Sequence, residues 1–86
     1  MGSYTYQFTS TARKQLKRLD KKTQRRIVGK LDYFCDENPL LFAKRLTDFR
    51  LGGYRLRIGD YRVIFDLDKK YEMLILAVGH RREIYK

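Results

Sequence analysis

The stretch Gly53-Tyr54-Arg55-Leu56-Arg57-Ile58-Gly59-Asp60-Tyr61-Arg62-Val63-Ile64-Phe65 carries the fold's clearest signal. Tyr54, Leu56 and Ile58 alternate with Arg55 and Arg57, the period of a strand with one buried face. Gly59-Asp60, with Gly first, predicts a two-residue type II′ turn. A turn of that length fixes the register: Ile58 faces Tyr61, and Arg57 faces Arg62. Arg57 and Arg62 then project from one face of the hairpin, with Arg55 two residues along. Like charges directly opposite each other destabilise a sheet. A chain that keeps such a pair either solvates it as a basic surface or sets it against an anion. If the pair is only a repulsion, replacing Arg62 with Thr should leave stability unchanged or slightly raised.

Outward from the hairpin, Tyr61 to Leu67 continues as a strand, and Asp68-Lys69-Lys70 predicts a second turn. Tyr71 to Val78 is apolar almost throughout, which predicts a central strand covered on both faces. Arg81 to Lys86 is read as a short tail. Toward the N-terminus, Tyr4, Tyr6 and Phe8 alternate as a first strand. Thr9 or Ser10 then caps a helix. Ala12, Leu16 and Leu19 share its apolar face, and Arg13, Lys14, Lys17 and Arg18 lie on the other side. Asp20 caps a second helix, in which Ile27, Leu31 and Phe34 form a stripe widened by Val28 and Cys35. Asn38-Pro39 ends it, because proline disfavours helical backbone in the residue before it. The expected fold is α+β, in the order β-α-α-β-β-β. It has an N-terminal strand, an antiparallel helical hairpin, and a three-stranded antiparallel meander. The helices are expected on one face of a four-stranded twisted sheet.

The chain has 86 residues, read as a single domain over 1–86, with a net charge of +10. The charge is local. Residues 11–30 hold nine basic side chains and one acid, Asp20, whereas residues 31–48 are net acidic. An excess of this size points to a polyanionic partner. Cys35 is the single cysteine, so no internal disulfide is expected and a reducing cytoplasm fits. The longest apolar run, Met73 to Val78, is far too short for a membrane span. The polar N-terminus lacks a secretory pattern, and Tyr6 stands where a myristoylation motif needs Ser or Thr.

Most catalytic constellations are missing from the sequence. One Cys and one His do not make a zinc site. Neither a P-loop nor a nucleophile elbow occurs, and no cofactor motif is found. The carboxylates are scattered, without a pair placed for acid–base work. What remains is a set of arginines and tyrosines in the C-terminal half, together with His80, the only imidazole.

The hairpin quoted above resembles the central hairpin of RelE-family toxins. Val78-Gly79-His80-Arg81-Arg82-Glu83-Ile84-Tyr85 resembles their C-terminal signature, and the N-terminal segment through Asn38-Pro39 is also similar. The resemblance covers nearly the whole chain. It implies a RelE/ParE superfamily toxin of a type II toxin–antitoxin system. On that pattern the chain is an mRNA interferase, a metal-independent endoribonuclease acting at the ribosome. In such toxins the ribose 2′-OH attacks the adjacent phosphate and leaves a cyclic phosphate. Carried over by motif, Arg62 and Arg81 bind and stabilise the scissile phosphate, and Tyr85 orients the nucleotide. Arg55 and Arg57 stand at strand positions that are often lysine in the family. With Arg82 and His80 they complete the expected RNA-contacting set. Arginine stays protonated and is a poor base, which leaves Tyr85 and His80 as alternatives for proton transfer. The implied partners are a cognate acidic antitoxin, mRNA and the ribosome, with no membrane. The free chain is expected to be a monomer and to form a hetero-oligomer with the antitoxin. The alternative on the same scaffold is a ParE-like toxin that inhibits gyrase and has no nuclease activity.

Overall fold

The computed structural model describes residues 4–47, 52–68 and 70–84. Strand β1 (Thr5–Phe8) leads into α1 (Ser10–Lys17) and α2 (Lys21–Glu37). A 3-10 turn (Pro39–Leu41) and a two-residue strand, β2 (Lys44–Arg45), follow. The chain then forms β3 (Tyr54–Ile58), β4 (Tyr61–Leu67) and β5 (Glu72–His80). The class and the order of the main elements are those expected. The sheet, however, has five strands and not four, in the order β1-β5-β4-β3-β2. The added strand is β2, whose two charged residues carry no alternation for a sequence reading to detect.

The caps explain the helix boundaries. Thr9 Oγ1 accepts from the Ala12 N–H at 3.1 Å, and Asp20 Oδ2 accepts from the Thr23 N–H at 3.2 Å. Each satisfies a donor that the first helical turn leaves open. Asn38 ends α2 in extended backbone and caps the 3-10 turn through the Leu40 N–H. Ala12, Ile27, Leu31, Phe34 and Cys35 from the helices meet Leu56, Ile58, Val63, Phe65, Met73, Ile75 and Val78 from one sheet face in a single core. Two polar struts bind the layers. Tyr6 OH donates to Asp32 Oδ1 at 2.8 Å, and the Val78 N–H donates to Gln15 Oε1 at 2.8 Å.

The β3–β4 register is the expected one: Ile58 opposite Tyr61, and Arg57 opposite Arg62. Gly59 has φ +60, whereas Asp60 is not in the positive region, the pattern of a type II′ turn. The last strand differs from expectation. Tyr71 has φ +62 and lies in the turn. Asp68 Oδ1 accepts the N–H groups of Lys70 (2.8 Å) and Glu72 (2.9 Å), so the chain bends around Tyr71 and pairing starts at Glu72. Lys69 of that turn lies outside the described residues. β5 is internal, parallel to β1 and antiparallel to β4, but it is not covered on both faces, because Leu74 is 41% exposed. The strand buried on both faces is β4, where Arg62, Val63, Ile64 and Phe65 are all buried. A register shift between Ile64 and Phe65 interrupts its pairing with β5. Gly52 (φ +141) closes over this far face. A Cβ there would sit 2.7 Å from Ile64 Cγ2 and 2.8 Å from Leu76 Cδ1, so both space and backbone conformation require glycine.

Candidate nucleic-acid interface

The core side chains of β3 and β4 assign the two sheet faces. Leu56, Ile58, Val63 and Phe65 point toward the helices, so Arg55, Arg57 and Arg62 occupy the opposite face by strand alternation. Lys44 pairs with Arg55 across β2–β3 and joins that face. Two consecutive cross-strand pairs, Lys44–Arg55 and Arg57–Arg62, therefore place like charges together. Phe42, Lys44, Arg55 and Arg57 line one concavity of about 310 Å³.

Arg62 is the buried member of the group, at 7% exposure. Its Nη1 donates to the Gly59 carbonyl at 2.9 Å and to the Tyr61 carbonyl at 3.0 Å. The guanidinium is thus folded back onto the type II′ turn, and carbonyl oxygens compensate part of its desolvation. Two more arginines reach the same turn. A Cβ on Gly59 would lie 2.7 Å from Arg26 Nη2, so the Arg26 guanidinium rests against the turn from α2. The Arg81 N–H donates to the Asp60 carbonyl at 2.8 Å, and Arg81 Nε stands 3.9 Å from Asp60 Oδ1, both side chains being well exposed. Guanidinium groups from α2, β4 and the C-terminal turn converge on Gly59-Asp60. Arg26 and Lys44 were not singled out by sequence. Arg26 is one of many bases along α2, and the pairing that places Lys44 depends on β2.

His80 is placed differently. It pairs with Tyr61 in the sheet, and the two rings meet edge to face at 5.6 Å. Its cavity, about 420 Å³, is lined by Gln15, Arg18, Tyr61, Gly79 and Ile84 among others, on the side facing α1. The structure therefore does not bring the His80 ring to the face that carries Arg57 and Arg62. His80 instead organises the C-terminal turn. Its Nδ1 accepts from the Arg82 N–H at 3.2 Å, and its carbonyl accepts from Glu83 and Ile84 at 2.8 and 3.0 Å. Arg82 is exposed on that turn. Tyr85 and Met1-Gly2-Ser3 lie outside the described residues.

Two titratable groups are perturbed on the helix side. Burial, reinforced by the hydrogen bond to Asp32, pushes the Tyr6 hydroxyl up to about 12. Burial, with Asp32 and Asp36 nearby, pushes the Cys35 thiol up to about 11. Neither belongs to the basic face. Among the described residues no group of three or more His, Cys, Asp or Glu is placed to hold a metal ion. None of the helices among them is long and apolar enough to cross a membrane.

Comparison of the whole chain with known proteins converges on one family. Residues 6–85 match the family described as the ParE toxin of the type II toxin–antitoxin system parDE. The chain belongs to this RelE/ParE superfamily and is a type II toxin of a toxin–antitoxin system. It is 32% identical over 84 residues to Toxin RelG of Mycobacterium tuberculosis, covering 96% of this chain and 97% of that protein. A chain of the toxin–antitoxin complex RelBE2 from the same organism superposes with TM-score 0.81 at 31% identity, over 92% of this chain and 99% of that one. A chain of the archaeal RelE–RelB complex from Pyrococcus horikoshii gives TM-score 0.70 at 27% identity, over 94% and 98%.

Proposed function

We propose that this toxin is a metal-independent endoribonuclease that cuts mRNA at the ribosome, in which arginines stabilise the phosphate during 2′-OH attack. The carrying observation is the doubled like-charge pairing, Lys44–Arg55 and Arg57–Arg62, on one sheet face. Such pairs concentrate positive charge on one face, an arrangement that is favourable against a polyanion. Arg62, clasped to the turn, and Arg81, anchored on Asp60, are the proposed donors to the charge that develops on the phosphate. Each such donor contributes roughly 10²–10³ in rate. Arg55 and Arg57 hold the flanking backbone, with Arg82 contributing charge from the turn. Proton transfer is assigned to Tyr85, and His80 acts as a positioning residue for the turn that presents Arg81. The P–O2′ bond forms as the P–O5′ bond breaks, the 5′-oxygen leaves as a hydroxyl, and the step needs no metal when cationic side chains carry the charge.

The chain is further proposed to be captured by a cognate acidic antitoxin, as the toxin–antitoxin complexes of its structural relatives suggest. The free toxin is then a monomer in the cytoplasm. The family described as ParE toxin favours a second reading, inhibition of gyrase without RNA cleavage. Primer extension on cellular mRNA after induced expression separates the two. Discrete new mRNA 5′ ends support the nuclease. Intact mRNA with gyrase-dependent chromosome breaks supports the alternative.

A further inference from the structure

Phe42 ends the 3-10 turn and stands at the β2 edge of the sheet, 42% exposed. Behind it the ring of Phe34, itself in the core, lies 4.7 Å away at 35°, and Tyr33 lies at 5.7 Å. An aromatic ring is thus braced from within and presented outward. Its surroundings on the outer side are not apolar. It lines the same concavity as Lys44, Arg55 and Arg57. Continuing the β2–β3 register, in which Lys44 faces Arg55, position 42 falls opposite Arg57, which in turn faces Arg62. Phe42 itself has φ −110 and ψ −15 and does not join the ladder. Its ring lies instead at the edge of the sheet, where it shares a concavity with the exposed Arg57, the cross-strand neighbour of the clasped Arg62.

An exposed ring beside closely spaced cations is the combination by which proteins hold single-stranded nucleic acid: bases stack on the ring and the cations track the backbone. We propose that Phe42 is the stacking platform for one base of a single-stranded RNA, with Lys44 and Arg57 holding the adjoining phosphate. This is a second nucleotide subsite, flanking the phosphate assigned to Arg62 and Arg81. The inference rests on the proposed nuclease reading and adds where the neighbouring nucleotide sits. An apolar peptide is the poorer occupant, because docking it would desolvate Lys44 and Arg57 without a counter-charge.

The test is binding of a short, fluorescein-labelled 2′-O-methyl RNA, which has no free 2′-OH to attack with, by anisotropy at low salt. The full chain is compared with Phe42→Leu, Phe42→Tyr and Lys44→Ala, and Leu41→Ala on the same turn serves as a control. Phe42→Leu should weaken binding about tenfold or more, whereas Phe42→Tyr and Leu41→Ala bind as the parent does. Lys44→Ala should flatten the salt dependence by about one ion. A single abasic nucleotide at the stacked position should cost the parent the same factor and cost Phe42→Leu nothing, which requires no judgement about folding of the variant. Parental affinity in a Phe42→Leu protein with a parental melting curve overturns the subsite. So does an abasic penalty felt equally by both proteins, or a Phe42→Leu defect confined to antitoxin binding. If RNA cleavage still depends on Arg81 in those cases, the subsite falls and the nuclease reading stands. RNA that does not bind the parent at all overturns both.

Discussion

Arg57 and Arg62 face each other across the β3–β4 hairpin, yet Arg57 is exposed and Arg62 is buried against the turn it follows. The repulsion read from the sequence is real in register but unequal in consequence. Arg62 holds two backbone carbonyls, those of Gly59 and Tyr61, and Thr cannot reach them. Relief of a like-charge pair contributes at most about 1 kcal/mol. Loss of charge-assisted bonds by a buried donor costs about 1–3 kcal/mol. Arg62→Thr is therefore expected to melt below the parent, contrary to the sequence expectation, and Arg57→Thr to melt at or slightly above it. Thermal melting of the two single variants decides this.

The same asymmetry makes Arg81 and Arg57 the clean probes of function. Arg81→Ala removes an exposed side chain whose anchoring N–H belongs to the backbone. It should keep the parental melting temperature and lose roughly 10²–10³ in cleavage rate. Full activity in a folded Arg81→Ala protein would place the site elsewhere.

His80 separates positioning from proton transfer. Asn at this position keeps an acceptor for the Arg82 N–H, which His80 Nδ1 now takes at 3.2 Å. His80→Asn should retain most of the cleavage rate with an unchanged pH–rate profile, whereas His80→Ala should lose more. A profile that loses a limb in His80→Asn would make the imidazole the base.

The hairpin was legible because turn chemistry fixes register locally: Gly59-Asp60 between alternating runs admits one pairing. The helices were legible from the Ala12 and Ile27–Leu31–Phe34 stripes and from the Asp20 cap. What escaped depends on contacts distant in sequence. β2 exists only because β3 offers an edge to it. The burial of Arg62 and Ile64 on the face that alternation marks as outward depends in part on Gly52 and Leu76 closing over Ile64. The position of Tyr71 turns on two bonds to one Asp68 oxygen. Of the candidate site, Arg55, Arg57, Arg62 and Arg81 were readable from pattern and motif. Lys44, Arg26 and Phe42 needed the fold.

Alkaline pH should destabilise the fold through the helix side. Cys35 is raised from 9.0 to about 11 and Tyr6 from 10.0 to about 12. The unfolded chain releases these protons first. Stability from both groups is therefore complete below pH 9 and lost as pH rises toward 12. Tyr6→Phe also deletes the strut to Asp32 and should cost about 1 kcal/mol at neutral pH, while flattening the alkaline limb. Chemical denaturation at pH 7, 9 and 11 reads both effects. An equal slope in Tyr6→Phe and parent would mean the hydroxyl is not held protonated by the fold.

The most direct measurement is the chemistry of the RNA ends made by the purified toxin. Lysine and arginine, the cations of the proposed site, are not metal ligands, so cleavage should survive EDTA when ribosomal complexes are pre-assembled or naked RNA is used with high enzyme. The account predicts 2′,3′-cyclic phosphate or 3′-phosphate ends, with the matching 5′-hydroxyl, and their loss in Arg81→Ala. Ends bearing 3′-hydroxyl, cleavage abolished by EDTA in naked RNA, or intact RNA beside gyrase-dependent DNA breaks would contradict it.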